Sequence, residues 1–247
     1  MRNLSSKSKA FIALVVVCGA AVLVSSLARC TFPNWTGFLV LLAAALVASR
    51  LKVKMPGVTG SMSVNLPFIL VAVAEMNTAE ALLIGCLSAL AQCLPAEGKK
   101  FNWTRGIFNF ANMALAIGVT RLLYTSAALG SAISSQSLLL AVAAAGYYAV
   151  NSLPVAIVIA LTENKNALRA WAAMLQLSYP YYLASAGVAG IALTASAHAG
   201  WQVPVLLLPL MAGIFYSYRS YFSASAVTIQ AEIKRAPQSA PMAHAAS

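Results

Sequence analysis

The sequence contains no aspartate, and only five of its 247 residues are acidic. General acid–base catalysis, phosphoryl transfer and Mg²⁺ binding usually bring several carboxylates together at one place. Only Glu75 and Glu80 stand close together in this chain. It also has no glycine-rich phosphate loop, zinc-protease helix motif or nucleophile elbow. We therefore do not expect an enzyme, and we expect no cofactor.

Histidine and cysteine are almost as scarce, with two and four copies respectively. His198 falls at a predicted turn and His244 in the C-terminal tail, so the sequence does not group them as ligands. Cys86 and Cys93 are seven residues apart and share a helix face, but no histidine accompanies them. Such a pair is more typical of packing than of a metal or redox site. We predict no metal site.

Apolar residues dominate what remains. The chain is 61% hydrophobic and 9% charged, with a mean hydropathy of +0.81, values unlike those of soluble globular domains. About 20 helical residues cover a hydrocarbon core of about 30 Å. The composition predicts an all-α, polytopic integral membrane helix bundle with about eight transmembrane helices. The apolar runs are residues 10–28, 36–51, 58–76, 79–94, 106–124, 137–161, 177–197 and 201–218.

The 16 basic residues follow a topological pattern. All but Arg29 and Arg121 fall on alternate gaps between the apolar runs, which places them on one side of the membrane. Short loops rich in Lys and Arg stay cytoplasmic, so this pattern predicts a multi-pass inner-membrane protein with both termini in the cytoplasm. The net charge of +11 is spread over several loops beside anionic lipid, and we predict no nucleic-acid binding.

The first apolar run also resembles a secretory signal, because basic residues precede it. Cleaved signals usually have a shorter apolar core and small residues at the exit. Residues 10–28 are too long, and Arg29 follows them. We favour an uncleaved first helix.

Uncharged polar residues at membrane depth are the candidate site. The third run begins with Ser61, Ser63 and Asn65 in a segment rich in Pro and Gly, which loosen a helix. One interpretation is an interrupted helix whose N–H groups face a cavity and bind a polar or anionic ligand. The other is a short re-entrant start that only positions the span.

Further polar side chains lie in three later runs. Two amides share a face of the fifth run, an amide precedes Pro154 in the sixth, and phenols follow Pro180 at the predicted start of the seventh. Interhelical hydrogen bonds or an aromatic interface belt are alternative roles. The predicted ligand-binding residues are Ser61, Ser63, Asn65, Asn109, Asn112, Tyr148, Asn151, Tyr181 and Tyr182.

Three segments at or beyond the ends of the runs have local interpretations. Asn77 and Glu80 form a helix-start signature, although an ion pair with Arg121 is an alternative. Residues 163–171 predict a short amphipathic helix on the inner surface. Residues 1–222 form the predicted transmembrane domain, and residues 223–247 a short disordered cytoplasmic tail. The alternative for residues 219–235 is a continuation of the last helix.

Several short motifs resemble the bacterial membrane-associated sensor (MASE-type) modules that precede GGDEF, HD-GYP or histidine-kinase domains. The likeness extends over about residues 40–222. Its motifs are the run from Ser61 to Glu75, Phe108-Asn109-Phe110-Ala111-Asn112, Tyr148-Ala149-Val150-Asn151, Leu161-Thr162-Glu163, Pro180-Tyr181-Tyr182 and Tyr218-Arg219-Ser220-Tyr221.

The resemblance implies a multi-helix input module that conveys a membrane or ligand state through its last helix. Members of such families continue into a signalling domain, whereas about 25 residues follow the last motif here. We therefore expect an orphan sensory module that binds a small or membrane-derived ligand and acts through a cytoplasmic partner. The alternative is a small transporter or substrate-capture subunit. The sequence does not determine the oligomeric state.

Overall fold

The protein is built almost entirely of helices. The structure, a computed structural model, describes residues 5–28, 34–54, 61–95, 100–163 and 165–235. These ranges contain nine helices and one two-stranded sheet. In chain order they are α1 (Ser6–Leu27), α2 (Trp35–Arg50), β1 (Lys52–Lys54), β2 (Ser61–Ser63), α3 (Leu66–Glu75), α4 (Thr78–Cys93), α5 (Trp103–Tyr124), α6 (Ala127–Ala132), α7 (Gln136–Glu163), α8 (Ala167–Ala199) and α9 (Gln202–Arg235).

Asparagine side chains fix the starts of four helices. Asn34, Asn102 and Asn166 each accept a hydrogen bond from the backbone N–H three residues later, at 2.9, 3.1 and 3.1 Å. At α4 the interaction is reciprocal, because the Asn77 side chain accepts from the Glu80 N–H while the Glu80 carboxylate accepts from the Asn77 N–H. The helix-start prediction for this pair is confirmed.

The alternative ion pair at this end is not formed. Arg121 donates instead to the backbone carbonyl of Val73. Within the described residues the one ion pair joins Lys165 to Glu163, at 2.7 Å. Arg121 therefore ties α5 to the end of α3 through the backbone.

The third apolar run is not one continuous helix. Strands β1 and β2 pair antiparallel, with Lys52 opposite Ser63 and Val53 opposite Met62. Helix α3 has 10 residues, so it is about 15 Å long. Val53 and Val64 are buried, which keeps this non-helical backbone inside the protein. The non-helical start of the run agrees with both interpretations, while residues 55–60 lie outside the described residues.

The end of the chain also differs from expectation. The prediction of a separate surface helix over residues 163–171 is wrong, because α8 begins at Ala167 with an Asn166 cap and continues unbroken to Ala199. Tyr181 and Tyr182 consequently lie inside a helix that contains Pro180, not at a helix start. Helix α9 extends to Arg235, as the helical alternative for this segment has it, while residues 236–247 lie outside the described part.

Helix α5 occupies the centre and packs against α1, α4 and α7. Helix α3 is enclosed by α4, α5 and α8, and Phe68, Ile69 and Leu70 are fully buried. Among the described residues, four helical segments are long and apolar enough to cross a membrane. They are Ser6–Leu27, Trp103–Tyr124, Gln136–Glu163 and Gln202–Ala224.

The close approach of α1 and α5 depends on Gly19. A methyl group at this position would overlap the backbone of Ala111, which has no side-chain freedom to move away. Small residues allow this kind of helix contact in membranes. We predict that Gly19→Ala destabilises the protein by about 1–3 kcal/mol, because the helices must separate. Thermal unfolding of the detergent-purified protein measures this.

Gly187→Ala is the matched control, because nothing lies within 4 Å of a methyl group added there. Its unfolding temperature should equal or exceed that of the wild type, since Ala is the better helix former. Equal behaviour of the two variants would contradict close packing at Gly19.

Candidate functional site

A cavity of about 650 Å³ opens among α4, α5, α7, α8, strand β2 and the start of α3. Binding sites for small molecules commonly have this size. The cavity lies toward one end of the bundle, because its lining includes Gln92 near the end of α4, Arg105 in the first turn of α5 and Ile159 near the end of α7. The basic residues of the sequence cluster at these same helix ends.

The cavity collects eight of the nine residues predicted as ligand-binding. They come from five elements that are separate in the sequence. The eight are Ser63, Asn65, Asn109, Asn112, Tyr148, Asn151, Tyr181 and Tyr182. Ser61 pairs with Lys54 in the hairpin, and its side chain lies outside the described part of the structure.

The start of α3 forms one wall. The Leu66 backbone N–H donates to the Tyr181 hydroxyl at 3.1 Å, and Tyr181 is only 1% exposed. Asn65 occupies the N-cap position but makes no capping hydrogen bond. Its Oδ1 instead accepts from the Ser63 hydroxyl at 2.8 Å, and its Nδ2 has no partner within the protein. An amide that would ordinarily cap the helix thus lines the cavity.

An asparagine pair joins α5 to α7. Asn112 Nδ2 donates to the Asn151 backbone carbonyl at 2.8 Å and to Asn151 Oδ1 at 3.3 Å. Asn112 Oδ1 and the Tyr148 hydroxyl have no partner within the protein, although these residues are only 2% and 7% exposed. A buried polar atom without a partner costs about 1–3 kcal/mol. Together with Asn65 Nδ2, these atoms mark positions where polar groups of a ligand would fit.

Other polar side chains near the cavity support its walls. Asn109 Nδ2 donates to Cys93 Sγ at 3.1 Å, which connects α5 to the end of α4. The Trp171 indole N–H donates to the Ser152 hydroxyl at 2.8 Å, and so connects α8 to α7. Sequence reasoning missed both Trp171 and Ser152. The position of Ser152 next to Asn151, before a proline, was the available signal.

The electrostatic environment of the cavity is positive. Arg105 is the one charged residue that lines it in the described part of the chain. At the end of α4, Arg50 donates to the Ala91 carbonyl at 2.9 Å and Lys52 to the Gln92 carbonyl. These cations offset the negative end of the α4 dipole. Burial, and then the neighbouring Arg50 charge, lower the pKa of Lys52. Sequence reasoning assigned Arg105 a topological role alone.

Aromatic contacts lead from the cavity to the last helix. Tyr148 and Tyr182 lie 4.6 Å apart between ring centroids, and Tyr182 lies 5.6 Å from Tyr181. Tyr181 lies 6.2 Å from Tyr218 of α9, which is 5.8 Å from Phe222. These distances are in the range of favourable aromatic pairs. Helix α9 is therefore in direct contact with a residue of the cavity wall.

A family model, MASE9, matches residues 11–220. The chain belongs to the MASE9 family. MASE9 modules are membrane-associated sensor domains, and modules of this class are non-catalytic. The predicted resemblance is thereby confirmed, and the match also includes most of α1 and the start of α2, which lie before the likeness that the motifs gave over residues 40–222. Neither the curated proteins nor the solved structures contain a match to this MASE9 chain.

The two buried tyrosines of the cavity differ in a testable way. Tyr181→Phe removes the acceptor of the Leu66 N–H, so we predict a loss of about 1–3 kcal/mol in stability. Tyr148→Phe removes a hydroxyl that has no partner in the protein, so it should leave the unfolding temperature unchanged or raise it. Thermal unfolding without added ligand compares the two, and equal losses would contradict the assigned hydrogen bonds.

Proposed function

We propose that this protein is a multi-pass sensor module of the bacterial inner membrane. In this proposal, a small or membrane-derived ligand binds in the cavity, and its presence is conveyed through α9 to a cytoplasmic partner. The observation that carries the proposal is the direct contact between the cavity wall and α9 at Tyr181 and Tyr218. The family match supports a membrane sensory role.

The proposed topology has eight crossings, made by α1, α2, α3, α4, α5, α7, α8 and α9. Both termini are cytoplasmic, and the short helix α6 lies on the opposite side. The distribution of Lys and Arg supports this order, since α1 begins, α2 ends and α5 and α8 begin near basic residues. The hairpin returns the chain beside the end of α2, because Lys52 lies opposite Ser63, and α3 begins the short third crossing from there.

Coupling in the proposal follows from packing. A ligand shifts a conformational equilibrium only by the difference in its affinity for the two states. Tyr181 holds the Leu66 N–H at the cavity wall and contacts Tyr218 on its other side. A ligand that moves α3 relative to α8 therefore changes the packing of α9. Helix α9 continues to Arg235, beyond the apolar segment that ends near 224, where a partner would meet it.

One observation favours a transporter as the second candidate. The third apolar run begins with non-helical backbone beside a polar cavity, and many transporters bind substrates where a helix is broken. The two functions differ in flux. A transporter moves its ligand across proteoliposome membranes, whereas the proposed sensor binds it without net movement.

Ligand binding is tested by thermal unfolding across a broad panel of small molecules. A ligand at about a hundredfold its Kd stabilises the native state by about 2.7 kcal/mol. We predict that at least one compound raises the unfolding temperature of the wild type and fails to raise that of Asn112→Leu. The Asn112 side chain lines the cavity and bonds Asn151, so its loss changes the site directly.

Asn166→Ala is the control for a general loss of stability. It removes the α8 cap, at a cost of about 0.5–2 kcal/mol, but does not line the cavity. Its unfolding temperature should fall while the ligand-induced rise is kept. If no compound stabilises the wild type, or if Asn112→Leu responds fully, the cavity is not the ligand site.

A further inference from the structure

The residues that line the cavity restrict the charge of its ligand, and so indicate the chemical class of the ligand in the proposed function. We infer that the ligand is an amphiphile with an anionic head group, held at Arg105, and an uncharged remainder inside the cavity. This inference rests on the proposed function, because it concerns the same cavity.

The distribution of acidic residues argues against a cationic ligand. No carboxylate of the described residues lines the cavity. Glu75 and Glu80 line a second cavity, of about 440 Å³, together with residues from the other ends of α2, α8 and α9. A buried ammonium group without an anionic partner loses far more hydration energy than neutral hydrogen bonds return. A ligand with a positive head group is therefore disfavoured.

The position of Arg105 favours an anion. It stands in the first turn of α5, where the helix dipole disfavours a cation. The positive-inside rule explains a cation at this end of the bundle, but not its position on the cavity wall. The one ion pair among the described residues is elsewhere, so Arg105 has no carboxylate partner among them.

Two further features add to the positive potential. The start of α3 lies on the cavity wall, and the positive end of its dipole faces that side. The negative end of the α4 dipole, near Gln92, is offset by Arg50 and Lys52. Helix ends and cations arranged in this way are suited to carboxylate or phosphate groups.

The interior of the cavity suits the uncharged part of the ligand. Apolar side chains from β2, α3, α4, α5, α7 and α8 line it, including Met62, Val155, Ile159 and Met174. Among them stand the unpartnered polar atoms, all on side chains at least nine-tenths buried. The uncharged part of the ligand therefore combines an apolar chain with a hydroxyl or amide group that pairs with Asn65, Asn112 or Tyr148.

The experiment uses matched eight-carbon probes with the full chain in lipid nanodiscs. Octanoate and octyl phosphate carry anionic heads, 1-octanol a neutral head and octylamine a cationic head. The concentration dependence of the unfolding temperature gives an apparent Kd for each probe. We predict that the anionic probes bind up to about fivefold more tightly than 1-octanol, and that octylamine does not stabilise the protein.

Arg105→Gln should remove most of this preference. An exposed ion pair is worth up to about 1 kcal/mol, which corresponds to about fivefold in Kd. Arg169→Gln is the matched control, because Arg169 is an exposed cation of the first turn of α8 that does not line the cavity. It should retain the preference of the wild type, which separates a local contact from the general attraction of a basic surface.

A second set of probes tests whether the anionic ligand comes from the bilayer or from water. Lysophosphatidylglycerol enters from the bilayer, with lysophosphatidylcholine as its comparison, whereas octyl phosphate enters from water. An Arg105-dependent preference in either arm supports the inference and identifies the route. If 1-octanol or octylamine binds as tightly as the anionic probes, the inference of an anionic head group is overturned. The sensor proposal still stands in that case if Asn112→Leu abolishes the binding. If none of these probes stabilises the protein, the anionic amphiphile is overturned, and the broad panel alone decides the proposed function.

Discussion

Helix α3 begins inside the bundle, and the hydrogen bond from the Leu66 N–H to the Tyr181 hydroxyl supplies a partner that the break in the backbone requires. Away from water, an unpaired backbone group costs several kcal/mol, so non-helical backbone persists at membrane depth only where the protein provides partners. The two short strands meet the same requirement by pairing with each other. The space beside this break is the cavity, and the ring of Tyr181 also contacts Tyr218. One side chain therefore supports the fold, the candidate site and the contact to α9.

The cavity gives a physical reason for the scarcity of acidic residues. Among the described residues, the polar atoms of its lining belong to amides, phenols and serine hydroxyls, and Arg105 is the charged one. A carboxylate there would need a partner or would remain protonated, because isolated buried charges are costly. The basic residues that orient the bundle in the proposed topology also contribute to the positive potential at the cavity. In the proposal, one charge distribution therefore sets both the topology and the preference for an anionic ligand.

Local patterns predicted most of the helices and the Asn77–Glu80 cap, because apolar length and capping chemistry are encoded within a few residues. Eight lining residues were also predicted, because a polar side chain at membrane depth is costly unless it faces the interior of the bundle or a cavity. The hairpin was missed because its pairing joins residues 52 and 63 across a Pro- and Gly-containing segment with no strand periodicity. The contact of Trp171 with Ser152 was missed because a tryptophan near a helix start is equally typical of an interface belt.

Hydrogen exchange of α9 tests the coupling between cavity and output most directly. Peptides covering residues 202–235 would be compared with and without a stabilising ligand, with α6 as an internal reference because it lies outside the cavity. Ligand binding should change exchange in α9 and not in α6. In Tyr218→Leu the ligand should still stabilise the protein, while the change in α9 is lost. A bound ligand that leaves α9 exchange unaltered in the wild type, or that alters it equally in Tyr218→Leu, would contradict the account.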